Sequence, residues 1–263
     1  LVSTLNYPAL HFLIFVPAVL AGISDMRYVL LLFELATVAS IYLWCPRELR
    51  PVVILPLFAG SELAVDFTAG CVTDYLWVLP LVWMVLVIEK PHLSGLLYGL
   101  ACGVKQTPWL LVPFLVIWIW NTRRTFGYLV RVKRTLVFIA ATSLAFVAPN
   151  APFMIDNYAA WYEGVVTPAF GNLVVLSQGL SVITQVSGVP LPPTFYMICV
   201  VVVFLTLIVN YMIYFDRLKH SLWVFPAVTM WFSYRGLQNY FIYWIPLLMT
   251  AAVLYYREEL TAG

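Results

Sequence analysis

The feature that most constrains this chain is its succession of long apolar runs, broken only by brief polar punctuation. Such stretches lie at 7–24, 27–44, 51–69, 74–89, 93–104, 106–121, 135–153, 193–215, 221–234 and 239–256. The runs are continuous rather than alternating, which favours helices over the dyad pattern of a membrane barrel. A helix needs roughly 20 apolar residues to cross a bilayer, because every backbone polar group must be satisfied within the segment. The chain is 263 residues long, so about eight to ten membrane helices with short loops are expected. The predicted fold is therefore all-α: a polytopic transmembrane helical bundle forming one integral membrane domain over 1–263. One long stretch, 154–192, carries Gly164, Gly171, Gly179, Gly188, Pro168, Pro190 and Pro192. That density of breakers predicts a structured, non-helical external loop.

Composition excludes the main alternatives. Hydrophobic residues make up 63% of the chain and charged residues only 10%, too few charges to coat a soluble globule. With 14 Lys+Arg against 12 Asp+Glu there is no basic excess to suit nucleic acid. The four cysteines (Cys45, Cys71, Cys102, Cys199) show neither CxxC nor Cys/His metal spacing and read as small hydrophobes. His11, His92 and His220 form no ligand pattern. No GxGxxG, GxxxxGK[ST], HExxH or GxSxG occurs.

Orientation follows from basic residues in the short loops. The densest basic segment, 122–134, holds Arg123, Arg124, Arg131, Lys133 and Arg134, and is placed in the cytoplasm. Arg47, Arg50, Lys90, Arg217, Lys219 and Arg257 then fall on the same side. Three cations remain outside: Arg27, Lys105 and Arg235. Residues 93–121 are long for one crossing and short for two. A hairpin with VKQTP (104–108) at its tip serves the charge balance better than one crossing. A single crossing would leave Lys105 near mid-bilayer, where a charge costs at least about 2.5–3.5 kcal/mol. Short arms would also leave the tip recessed below the outer interface.

Outside cations run against the charge bias, and intramembrane ionisable groups point to function. Asp66 and Asp74 flank the turn 70–73 on the same side, with Glu62 one helical turn before Asp66. Gln106 follows Lys105, Asn239 lies four residues after Arg235, and Asp156 and Glu163 fall in the external stretch. Recessed cations suit a phosphate; carboxylates beside them suit sugar hydroxyls, a metal ion or proton abstraction. Tyr158, Trp161, Tyr162 and Phe170 suit an acceptor groove, or equally an interfacial aromatic belt. A structural salt-bridge network between helices is the alternative reading of the charged cluster.

Several stretches resemble GT-C class membrane glycosyltransferases, and family 87 in particular. SGLLYGLACGVKQTPWLLVPFLV (94–116) is similar to the Lys-bearing hairpin of that class, and TDYLWVLPLVW (73–83) to its acidic helix entry. NYPALHFLIFVPAVLAGISDMRYVLLL (6–32) is similar to its "PPL…P…G…R" segment, and SYRGLQNYFIYWIPLL (233–248) to its late "R/K…Y…P" helix start. The resemblance implies a hexosyltransferase of the cell envelope. It would move a sugar, mannose for example, from a polyprenyl-phosphate donor to a lipid, glycan or protein acceptor on the outer face of a prokaryotic plasma membrane. It implies Asp74 as the second acidic site residue, and Lys105 and Arg235 as the holders of the donor phosphate. From the outer-side cluster itself, Asp66 joins Asp74 as a catalytic carboxylate, and Gln106 and Arg27 join the phosphate set. Asn239, Tyr240, Trp161 and Glu62 are then expected as sugar or acceptor contacts, and a divalent metal ion is left open as cofactor. The class carries its principal aspartate in a first external loop, ahead of the position matched by residue 6. An N-terminally truncated chain is the corresponding expectation, and segment 7–24 is expected to be an external, half-embedded helix. A transporter or flippase, or a non-catalytic membrane subunit, is the rival reading; a transporter predicts an internal repeat and a midplane site, and no repeat is visible.

Overall fold

A computed structural model of the chain describes residues 6–51, 66–122, 125–170, 178–189 and 191–262. All regular structure among these residues is helical. The entry segment forms two short helices, α1 (Leu10–Leu13) and α2 (Val16–Leu20). The principal helices that follow are α3 (Arg27–Trp44), α4 (Tyr75–Leu86), α5 (Pro91–Val104), α6 (Val112–Asn121) and α7 (Tyr128–Asp156). Short helices α8 (Tyr158–Val165), α9 (Thr167–Phe170) and α10 (Leu180–Val186) lead to α11 (Pro193–Ile213). The chain ends through α12 (Phe215–Leu218), α13 (Phe225–Trp231), α14 (Asn239–Ile242) and α15 (Ile245–Ala262). Three helices, α3, α7 and α11, are long and apolar enough to cross a membrane.

The core is built on α4, which buries nearly all of its residues from Tyr75 to Val85. Around it lie α3, α5 and α15. Trp83 Nε1 donates to Ser40 Oγ of α3 at 2.8 Å, and the Trp77 and Trp244 rings meet at 5.2 Å. The tightest joint is between α5 and α7. A Cβ added at Gly95 would lie 2.5 Å from Phe138 O, and one at Gly99 2.3 Å from Thr142 O. Glycines four apart thus let the two backbones touch, the small-residue device of membrane helix pairs. The rising register of these contacts means that α5 and α7 run parallel.

Residues 93–121 are two helices rather than one. Pro91 occupies the first turn of α5, where its missing N–H costs nothing. At Lys105 the backbone becomes extended (φ −152°, ψ 157°). A 3₁₀ turn, Thr107–Leu111, then feeds α6, which returns to the start of α7, where Arg131 Nε donates to Trp120 O at 2.8 Å.

The stretch 154–192 departs from its predicted loop character. Its described residues carry α8, α9 and α10, and α7 continues to Asp156. Here Gly and Pro separate short helices instead of preventing them. Asn157 supplies the start of α8 by accepting from Ala160 N at 3.0 Å, the usual N-cap device. Similarly, α7 starts at Tyr128 and absorbs Arg131, Lys133 and Arg134, which the basic loop was expected to hold.

Charged groups separate by end. Arg50, Arg131, Lys219 and Arg257 sit over the rings of Tyr42, Trp120, Trp118 and Trp44, and Arg134 pairs with Glu89 at 3.7 Å. These positions are the ends of α3, α6 and α15 and the start of α7. Lys105 closes α5 at the opposite end, where α4 begins and α7 finishes.

Candidate functional site

The turn before α4 contains Gly70 and Cys71, the latter at φ 61°, and it delivers Asp74 to the helix start. Asp74 is fully buried. Three groups donate to it: Lys105 Nζ to Oδ1 at 2.7 Å, Trp77 Nε1 to Oδ1 at 2.6 Å, and Asn239 Nδ2 to Oδ2 at 2.8 Å. A buried charge is tolerated when paired and fully hydrogen-bonded; Asp74 meets both conditions. Asp74 therefore ties α4, the α5–α6 hairpin tip and α14 at one point.

Lys105 is 5% exposed and lies between two aromatic rings. Its Nζ is 5.7 Å from the Tyr7 centroid and 5.1 Å from that of Tyr240, within cation–π range. On the side away from Asp74 it borders a cavity of about 320 Å³. Gln106, Arg235, Tyr240, Tyr7, Thr229 and Ser233 also line this cavity. Arg235 is half-buried there and pairs with no carboxylate among the described residues. Its loop is shaped by Ser233, whose Oγ accepts from Arg235 N at 3.2 Å, and by Gln178 N, which donates to Gly236 O at 2.7 Å. Gln106 Nε2 donates to Asn6 O (3.0 Å) and Val165 O (2.8 Å), stapling the entry segment and α8 over the hairpin tip.

Six of the expected site residues thus converge: Asp74, Lys105, Gln106, Arg235, Asn239 and Tyr240. Their positions differ in kind. Lys105, Gln106, Arg235 and Tyr240 face the cavity, whereas Asp74 is sealed behind Lys105, and Asn239 spends its amide on Asp74. Asp66 is exposed and does not line this cavity. Arg27 is held by Asp25, through Nε at 2.9 Å and Nη2 at 2.6 Å, and lines a separate cavity with Glu34 and Thr68. These hydrogen bonds from Arg27 hold the partly exposed Asp25 carboxyl below its ordinary range. Glu62 lies outside the described residues.

Trp161 lies beside a third cavity. Its Nε1 donates to Asn150 Oδ1 at 3.0 Å, an atom that also accepts from Ala9 N at 3.0 Å. Trp77, Tyr7 and Asn150 were not singled out from sequence. Trp77 follows Asp74 by three residues on one helix face, and Asn150 interrupts an apolar run; these were the available signals. No group of three or more His, Cys, Asp or Glu able to hold a metal ion occurs among the described residues. No known protein family, curated protein or solved structure matches the chain.

Proposed function

We propose that the chain is a membrane glycosyltransferase of GT-C type, working on a polyprenyl-phosphate-linked sugar at the outer face of a prokaryotic plasma membrane. The observation that carries the reading is the one cavity that Lys105 and Arg235 both line, with Gln106 and Tyr240. Two cations from different loops, one of them more than nine-tenths buried, suit a phosphate that must be held and then released. Both lie at one end of the bundle, which speaks for chemistry at a membrane face rather than transport through a midplane site.

In the proposed reaction the acceptor oxygen forms a bond to the anomeric carbon. The bond from that carbon to the phosphate oxygen breaks, and its electron pair leaves on the polyprenyl phosphate. Lys105 and Arg235 stabilise that leaving charge. The acceptor proton passes to a carboxylate of the outer end, for which exposed Asp156, in the neighbouring cavity that shares Tyr7, is the candidate. Asp74 takes a positioning role: it fixes the Lys105 ammonium between Tyr7 and Tyr240.

The test is transfer of labelled hexose from a polyprenyl-phosphate donor by the protein in proteoliposomes. Lys105→Ala and Arg235→Ala are each expected to lower the rate by at least a hundredfold, with Arg235→Lys recovering part of it. Wild-type rates in both alanine variants would sink the reading.

A further inference from the structure

We infer that the cavity on the far side of Tyr7 from Lys105 is a saccharide-binding subsite that seats a neutral, sugar-bearing acceptor; this rests on the glycosyl-transfer reading. The cavity measures about 220 Å³ and is lined by Tyr7, Phe12, Phe153, Trp161, Asp156 and Asn157. Four aromatic rings beside one carboxylate and one carboxamide match the two-sided chemistry of a sugar. Its C–H faces pack on rings, and its hydroxyls hydrogen-bond to Asp and Asn. The size lies below the usual range for drug-sized pockets, suited to a single sugar ring rather than a lipid chain. Among the described residues no cation lines it, and Asp156 disfavours an anionic occupant.

The rings are fixed in advance. Tyr7 stacks on His11 with centroids 4.3 Å apart and planes at 16°. Phe12 meets Phe153 edge to face at 5.3 Å. Trp161 is anchored through its indole N–H to Asn150, whose side chain is fully buried and whose Nδ2 donates to Phe146 O at 2.7 Å. This separates Trp161 from an interfacial belt residue. A belt tryptophan keeps its N–H for water and headgroups, whereas here the N–H is consumed inside the protein. Preorganised rings bind with less ordering cost. Tyr7 also lines the Lys105–Arg235 cavity, so a saccharide seated against it would lie next to the proposed donor phosphate.

The test is saturation-transfer NMR on the protein in nanodiscs, with a panel of neutral hexose disaccharides as probes. Saccharide signal is expected in the wild type. It should weaken at least tenfold in Trp161→Ala and in Asp156→Asn. Asp156 is exposed, so its variant leaves the fold intact, and Trp161→Phe, which loses the N–H but keeps a ring, should retain part of the signal. No signal in the wild type, or undiminished signal in Trp161→Ala and Asp156→Asn, overturns the subsite. If the subsite fails while transfer still depends on Lys105 and Arg235, the glycosyl-transfer reading stands alone. If saccharide binds but those two alanine variants transfer at wild-type rates, that reading fails and the saccharide site remains.

Discussion

Lys105→Met cuts the ion pair that joins the hairpin tip to α4, and its cost can be worked from the geometry. At 2.7 Å a full charge pair is worth about 6 kcal/mol at an effective dielectric of 20. Most of that offsets the desolvation of both groups, so the pair's net contribution is small. Removing only the cation is different. Methionine keeps the stem but strands a carboxylate that is fully buried, with two neutral donors in place of three, and such losses cost about 3–5 kcal/mol. The reverse change, Asp74→Asn, should cost less. Lys105 borders a cavity, where water or an anion can reach the freed ammonium, whereas Asp74 has no such access. The double variant removes both charges and should recover most of the loss from Lys105→Met, leaving about 1–2 kcal/mol for imperfectly matched amide bonds. The assay is reversible unfolding in mixed micelles for the wild type, both single variants and the double. The expected coupling is about 2 kcal/mol or more, with Lys105→Met the least stable of the four. Additive effects within about 0.5 kcal/mol, the behaviour of independent sites, would refute the coupling and with it the positioning role of Asp74.

Other substitutions test separate parts of the structure. Gly99→Leu should destabilise the α5–α7 joint severely, because even a Cβ there lies 2.3 Å from the Thr142 carbonyl; loss of the monodisperse peak in size exclusion reads it. Gly179→Ala should disturb the Arg235 loop, since the new carbon would meet Trp231 O at 1.9 Å; the check is reduced phosphate binding with little change in global melting. Asn150→Leu strips the acceptor from Ala9 N and Trp161 Nε1, and should cost about 1–3 kcal/mol for each donor left buried and unmet. Protease access to the entry segment would report it. Arg27→Ala should move the Asp25 titration upward, because hydrogen bonds from Arg27 now keep that carboxyl depressed. By the sign of that shift, whatever Asp25 contributes is present above its unfolded pKa and lost as pH falls through the folded value. A carboxyl NMR titration of both proteins compares the two.

The all-helical character was legible in the apolar runs, and α3, α7 and α11 are long and apolar enough to cross a membrane, fewer than the roughly eight to ten crossings the run count suggested. The hairpin 93–121 was legible for another reason: a lysine in mid-run costs too much at bilayer depth, so the chain had to turn there, and it does at Lys105. Character within 154–192 was not legible. Glycine and proline lower helix propensity by fixed amounts, yet helices of four to eight residues tolerate them at their boundaries, as Pro168 and Gly179 show. Propensity sums cannot distinguish a loop from several short helices.

The site divides along the same line. Sparse charges in apolar sequence pointed to Lys105, Arg235 and Asp74, because each ionisable group there needs a partner or a task. The sequence could not assign which of the two each one has. Asp74 and Lys105 satisfy one another, and their pairing explains burial without invoking substrate. Arg235 has no such explanation: half-buried and without a carboxylate partner among the described residues, it faces the same cavity as Lys105. Among the described residues, a guanidinium with no carboxylate partner beside a matched ammonium leaves the cavity lining net positive. An anion entering it gains a bidentate partner in Arg235 and displaces nothing from Asp74. The proposed phosphate therefore depends first on Arg235, and Arg235→Ala should weaken its binding more than Lys105→Ala does once the two variants are compared at equal stability.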